Sequence, residues 1–216
     1  MQAGTATAMK RPRNIVRLAG DHSIDVGLLP EKPVVLDVGC RGFDFARNIL
    51  ELRPEALVIC MDPDPAIQDP NIPGIEYIQK ALTADDVPLR KYAAFSSGEA
   101  NFITDADSYY DAKIQYVKCI TIEALMRGLG IEYLDLVKLD CENSEFGILE
   151  SWPGRIAGQL SIEFHDFQNR NRWDNAYFDQ LFSGPLRDYE VVQHELTPVG
   201  PDQTLSHWDS LLVLKS

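Results

Sequence analysis

The stretch VVLDVGCRGFDF, Val34 to Phe45, is an apolar run broken at Asp37 and closed by two glycines, Gly39 and Gly42. Its apolar part has the length and β-branched character of a buried strand, and the glycines mark a tight turn ahead of a helical pattern. In that pattern Phe45, Ile49 and Leu52 form a stripe with Ala46 and Leu50 beside it. Asp44 is placed to cap the amino end and Pro54 to stop the helix. A second β-rich run, ALVICMD (56–62), follows, so this part of the chain predicts one strand–helix–strand unit.

Further runs repeat the pattern: GIEYIQKA (74–81), YLDLVKLD (133–140) and QLSIEFHD (159–166). Thr121 is a suitable cap for TIEALMRGL, and Gly130 a suitable left-handed terminator before the next strand. Four prolines from Pro63 to Pro73, and the Ser, Gly, Asn and Asp of 96–107, read as loops or short irregular strands of the kind that cover ligands. After a helical pattern around Trp173 to Phe182, YEVVQHEL and HWDSLLVLK are close enough to pair as an edge hairpin. The expectation is an α/β, Rossmann-like, doubly wound sheet, mostly parallel, with an antiparallel carboxyl-terminal hairpin. One globular domain spans 33–216, behind an arm over 1–32 that is partly disordered or helical.

A chain of 216 residues at 45% hydrophobic content suits one sizeable core. The net charge of -13 argues against nucleic acid, whose binding needs Lys and Arg clustered on one face. Lys10, Arg11, Arg13 and Arg17 fall among the first twenty residues, which hold no acid. Such an arm reads as a solvated tail or an anion-seeking one. No apolar run is long enough to span a membrane and no secretory core stands at the start, so the expected place is cytoplasmic, with no membrane partner. Cys40, Cys60, Cys119 and Cys141 lack metal spacing and read as reduced, structural thiols.

In an open α/β sheet, ligands bind beyond the carboxyl ends of the strands, where Gly39 and Gly42 would let a ligand approach the backbone. Dinucleotides and S-adenosylmethionine both use such a turn. Asp37, Asp44, Asp62 and Asp64 repel a pyrophosphate and attract a sulfonium and an ammonium, although Arg41 offsets part of that charge. Asp62 ends the second strand 23 residues after Gly39, where an acid that binds ribose hydroxyls is expected. The candidate cofactor set is Asp37, Gly39, Cys40, Gly42, Asp62 and Asp64.

A second constellation lies in YLDLVKLDCENSE and SIEFHDF. Burial of Lys138 demands a partner, either Asp140 or an acid on a neighbouring strand. If the two strands are adjacent, Asp140, Glu142, Glu163 and His165 converge over the crevice. His165 has the intrinsic pKa of a general base, Asp140 is next in line, and Lys138 would hold Asp140 or steady a developing oxyanion. Glu142 and Glu163 are expected to bind acceptor hydroxyls. Asp140, Glu142 and His165 would also suit a divalent metal, a less favoured use. His22, His194 and His207 lack such context and read as surface residues.

Taken together, VVLDVGCRG, MDPDP, TIEALMRGLGIEYLDLVKLDCENSE and SIEFHDF resemble the FkbM-type S-adenosylmethionine-dependent methyltransferases. The resemblance implies a class I fold with a seven-stranded sheet. It also implies Asp37 and Gly39 in the cofactor turn, Asp62 at the ribose, and Lys138, Asp140, Glu142 and Glu145 in a motif that usually reads K-I-D-V-E-G-A-E. Gly42 comes one residue early, and Asn143 and Ser144 replace Gly-Ala, although Asn tolerates a left-handed backbone. The implied reaction is O-methylation of a hydroxyl on a sugar or small metabolite; a nitrogen target and a homodimer remain open. Tyr109 and Lys113, with Ser96 upstream, match the spacing of a short-chain dehydrogenase, but in a region dense with turn-formers. A nicotinamide dehydrogenase is therefore the second reading, and a nucleoside-cofactor-binding protein without catalysis the third.

Overall fold

The computed structural model describes residues 12–95, 101–165, 175–199 and 205–215. In chain order the elements are β1 (Ile15–Arg17), β2 (Ser23–Asp25), β3 (Val34–Val38), α1 (Asp44–Leu52), β4 (Leu57–Met61), β5 (Ile75–Ile78), β6 (Ala81–Leu82), β7 (Leu89–Phe95), β8 (Phe102–Thr104) and β9 (Ala112–Ile120). There follow α2 (Ile122–Leu129), β10 (Leu134–Leu139), α3 (Glu145–Glu150), β11 (Ala157–His165), α4 (Asn175–Ser183), β12 (Tyr189–Val199) and β13 (Leu205–Leu214).

Seven strands form the main sheet in the order β12-β13-β11-β10-β3-β4-β5. The pairs from β11 to β5 are all parallel, and β13 runs antiparallel to both β11 and β12, so the fold is α/β with a mixed sheet. Alternation along β3 sends Leu36 and Val38 to one face, among Leu125 and Met126 of α2 and Phe146 of α3. Val35 faces the other way, among Phe45, Ala46 and Ile49 of α1. Helices on both faces thus bury most of each central strand, which is why those strands read as continuous apolar runs.

Local signals explain most boundaries. Thr121 accepts from the Ala124 amide and Gly130 closes α2 at φ 69°, as expected. Asp44 does not cap α1. The capping residue is Phe43 at φ 59°, whose buried ring packs edge-on against Tyr77, while Asp44 turns out toward Arg47. Burial of that ring outweighs the preference for a polar cap.

Two larger departures bear on function. GIEYIQKA is not one strand: it divides into β5 of the main sheet and β6 of a second sheet, ordered β6-β9-β7-β8. The segment read as loops carries β8, and β6 to β9, between β5 and α2, make up this second sheet. Nor is 1–32 a loose or helical arm over its described part. From residue 12 it forms the β1–β2 ribbon and two single-turn helices. Ile24, Val26 and Leu29 enter the core on the α1 face, and the Gln159 side chain bonds both the amide and the carbonyl of Asp25. Lys10 and Arg11 lie outside the described residues. No described helix is long and apolar enough to cross a membrane.

Candidate functional site

Backbone crowding at the end of β3 makes Gly39 indispensable. Its φ is 78°, and a Cβ there would sit 1.7 Å from the carbonyl oxygen of Asp140. The β3 turn and the β10 turn therefore touch, and no side chain fits between them. In the turn after β10, Asn143 and Glu142 also adopt positive φ, 78° and 52°, so the turn expected of Asn143 forms.

Asp37 and Lys138 are register partners on adjacent strands, both buried, with Lys138 Nζ 3.1 Å from Asp37 Oδ1 and 3.3 Å from Asp140 Oδ2. Lys138 also donates to the carbonyls of Val38 and Gly39. Burial alone would lower the Lys138 pKa, but Asp37 and Asp140 hold it well above the usual lysine range. Burial likewise opposes the Asp140 charge, and Lys138 more than reverses that, holding Asp140 well below the carboxylate range. Both partners anticipated for Lys138 are thus used at once.

Beyond these turns lies a cavity of about 260 Å³. Its lining includes the polar Asp62, Asp64, Asp140 and Glu142, the backbone of Gly39, and the apolar Leu82, Phe102 and Ile103. Asp62 accepts from the Asp64 amide, and its burial pushes its pKa up to about 6. Asp64 caps its own turn through the Ala66 amide and takes Asn101 Nδ2 on its other oxygen.

Of the residues expected at a cofactor, Gly39, Asp62 and Asp64 line the cavity, whereas Asp37, Cys40 and Gly42 are not among its lining. Asp37 is spent on Lys138, and the Cys60 thiol points at its other oxygen at 3.9 Å. Cys40 is buried in the α1-face core, and the Gly42 carbonyl serves Arg47.

The second constellation does converge. Parallel pairing of β10 and β11 sets Lys138 beside Ser161 and brings Asp140, Glu142, Glu163 and His165 together. His165 Nδ1 lies 3.1 Å from Glu145 Oε1 and Nε2 lies 3.2 Å from Glu163 Oε1. Burial would lower its pKa, but Glu145 first, with Glu163 and Glu142, pushes it up to about 12. With an acid against each nitrogen, the arrangement suits an imidazolium that knits carboxylates and speaks against His165 as the general base.

Glu142 is different. Its Oε2 is buried without a hydrogen-bond partner, it lines the cavity, and burial pushes its pKa up to about 7. Glu145, fully buried, also accepts from the Cys141 amide and so ties the β10 turn to α3.

His22 was not foreseen here. It is 1% exposed, with Nδ1 3.1 Å from Ser161 Oγ and Nε2 3.6 Å from Asp140 Oδ2 and 3.9 Å from Glu163 Oε2. His207 is not an isolated surface group either, with Nδ1 3.4 Å from Glu163 Oε1. Periodicity within LAGDHSID carries no signal for this; the contact of His22 with Ser161 joins residues 139 apart in sequence.

The dehydrogenase spacing dissolves in three dimensions. Tyr109 sits in a turn bonded to Thr104, and Lys113 is an exposed residue of β9 paired with Ala94, not part of a helix. Ser96 lies outside the described residues.

Comparison with known proteins agrees with this geometry. A solved structure titled "Putative hemolysin from Streptococcus thermophilus" superposes with a TM-score of 0.51 at 9% identity, over 88% of this chain and 62% of that one, a likeness of fold alone. The 2-O-methyltransferase NoeI of Sinorhizobium fredii (strain NBRC 101917 / NGR234) is 38% identical over 61 residues, which are 28% of this chain and 24% of that protein. The match therefore spans about a quarter of the length of that curated relative. The family described as Methyltransferase FkbM domain matches residues 39–191, from the crowded glycine through β10, β11 and into β12, and by that match the chain belongs to the FkbM methyltransferases.

Proposed function

We propose that this chain transfers the methyl group of S-adenosylmethionine to a hydroxyl oxygen of a sugar or similar polyhydroxylated small molecule. One observation carries the reading: a single cavity joins a ribose-suited acid, Asp62, to a group of carboxylates at the end of β10. The two oxygens of Asp62 suit the 2' and 3' hydroxyls of the cofactor, and Gly39 leaves room for its amino-acid portion beside the turn. The acidic lining suits a sulfonium and an ammonium and opposes a pyrophosphate.

Methyl transfer is an in-line displacement. The acceptor oxygen forms a bond to the methyl carbon, the carbon–sulfur bond breaks, neutral S-adenosylhomocysteine departs, and the hydroxyl proton must go to a base. The chain's tasks are to hold the oxygen about 3 Å from the carbon and to receive that proton. Glu142 takes the base role in place of His165, because it lines the cavity, its Oε2 accepts no hydrogen bond although His165 Nε2 lies 3.7 Å away, and burial brings its pKa to about 7. Hydroxyl rather than amine as target draws support from the name of NoeI, a 2-O-methyltransferase.

Methyl-labelled S-adenosylmethionine, offered with a panel of polyols, sugars and amines, tests the reading. An O-methyl ether is expected, with Glu142→Gln slower by about 10²–10⁴-fold at unchanged S-adenosylhomocysteine affinity. N-methyl products alone would overturn the hydroxyl assignment, and full turnover by Glu142→Gln would overturn the base.

A further inference from the structure

Among the described residues, two groups place one nitrogen and two carboxylate oxygens within 4.8 Å of one another: His22, Asp140 and Glu163, and Asp140, Glu142 and His165. They differ in what their histidines have left to give. His165 is spent on both sides, on Glu145 and Glu163. His22 is held from one side only, by Ser161 at Nδ1 and by the edge of Phe45 against its ring. That leaves Nε2 buried, without a hydrogen-bond partner, and directed between Asp140 and Glu163. At 3.6 and 3.9 Å it is beyond hydrogen-bond reach of either acid.

From this placement we infer that His22 Nε2, Asp140 and Glu163 bind a first-row divalent cation such as Mn2+ or Zn2+. An ion about 2.1 Å from each ligand sets the ligand atoms roughly 3 to 3.5 Å apart, so the two spacings from His22 Nε2, 3.6 and 3.9 Å, need to close by only about half an ångström, and all three ligand atoms already lie within 4.8 Å of one another. One imidazole with two carboxylates is a donor set for manganese or zinc rather than for calcium or magnesium, which prefer oxygen alone. Ser161 fixes the imidazole from behind, as supporting hydrogen bonds do at histidine metal sites.

Charge points the same way. Asp37, Asp140, Glu142, Glu145, Glu163 and Asp209 share this region with Lys138 and His165, and counting both His22 and His207 as cations still leaves it negative. Lys138 also contacts Asp140 Oδ2, but Asp37 matches its charge. Because Asp140 lines the cavity, a cation here borders the space assigned to the acceptor. The binding itself stands apart from the methyl-transfer reading.

The test is calorimetric titration of the full, chelator-treated chain with Mn2+ and with Zn2+, with electron paramagnetic resonance reporting bound Mn2+. One cation per chain at micromolar Kd or tighter is expected. Loss of a ligand should exceed the roughly 10–100-fold cost of losing a supporting hydrogen bond, so Glu163→Gln and His22→Ala should each bind at least about 100-fold more weakly. Glu142→Gln should bind as the parent does. Melting of each metal-free variant checks that it folds, and the nearly isosteric Glu163→Gln serves should His22→Ala fail to. Absence of saturable binding below millimolar cation, or parental affinity in Glu163→Gln, overturns the site. Loss in Glu142→Gln with retention in His22→Ala overturns the ligand assignment. S-adenosylhomocysteine titrated separately keeps failure of the cation site distinct from failure of the methyltransferase reading.

Discussion

Asp62 is the residue whose two roles pull against each other. Burial raises its pKa from 3.8 to about 6 in the folded chain. A carboxylate raised in this way holds its proton more tightly when folded, so its contribution favours folding below about pH 4 and is lost as pH climbs from about 4 to about 6. At pH 7 the free protein therefore carries a buried charge that it would be more stable without. Asp62→Asn should stabilise the cofactor-free chain at pH 7 by on the order of 2 kcal/mol, a rise in Tm of about 4–8 °C, and by almost nothing at pH 4. Ribose hydroxyls donating to the ionised carboxylate reverse the balance, so S-adenosylhomocysteine affinity should fall as pH drops below about 6 and be weak in Asp62→Asn throughout. Melting curves at both pH values, with titrations at pH 7.5 and 5, read both arms. Equal Tm values at pH 7 would mean that Asp62 has its charge compensated before any cofactor arrives.

At the level of elements, the junction of β3 with β10 sets the site. The Gly39 turn and the Asp140 turn touch, and the Asp37–Lys138 pair bolts the two strands together two residues earlier in the register. Gly39→Ala places a methyl group where the Asp140 carbonyl already is, at a φ that disfavours any side chain, and should cost about 3 kcal/mol or more. Asp37→Ala removes the fully buried one of the two acids that hold the Lys138 ammonium and leaves it Asp140 alone, with an expected cost of about 3 kcal/mol. Thermal melts check both, and a loss under 1 kcal/mol in either would show that the junction relaxes easily. Much of this junction was legible in the sequence, because strands buried on two faces announce themselves as apolar runs and a charge inside one demands a partner. What escaped were features that depend on distant chain. β8 escaped because the Ser, Gly, Asn and Asp around it in 96–107 look like turns until a second sheet pairs it, and the runs of β7 and β9 were not singled out at all. His165 reads as a base in the sequence because nothing there shows that Glu145, on α3 ahead of its strand, occupies its other nitrogen.

On the scale of the whole molecule, the amino-terminal ribbon belongs to the fold that carries the site. Ile24, Val26 and Leu29 are buried against the α1 face, Gln159 spends both ends of its amide on Asp25, and Arg53 at the end of α1 donates to the carbonyls of Val26, Leu29 and Pro30. Each of those three side chains contributes about 1.5–3 kcal/mol of burial, so together they approach the 5–15 kcal/mol that typically holds a domain folded. The ribbon also brings His22 to Asp140 and Glu163, which joins the stability of this segment to the chemistry beside the cavity. A chain starting at Pro33 would uncover the α1-face core, leave the buried Gln159 amide without Asp25 and remove one nitrogen ligand from the inferred cation site. We expect it to lose its cooperative melt, or to drop in Tm by more than 10 °C, whereas a chain starting at Pro12 should melt as the full chain does. Denaturation followed by circular dichroism on both decides the matter. An unchanged Tm for the shorter chain would make residues 12–32 an accessory to a core that stands without them, and would restore the domain boundary at 33 expected from the sequence.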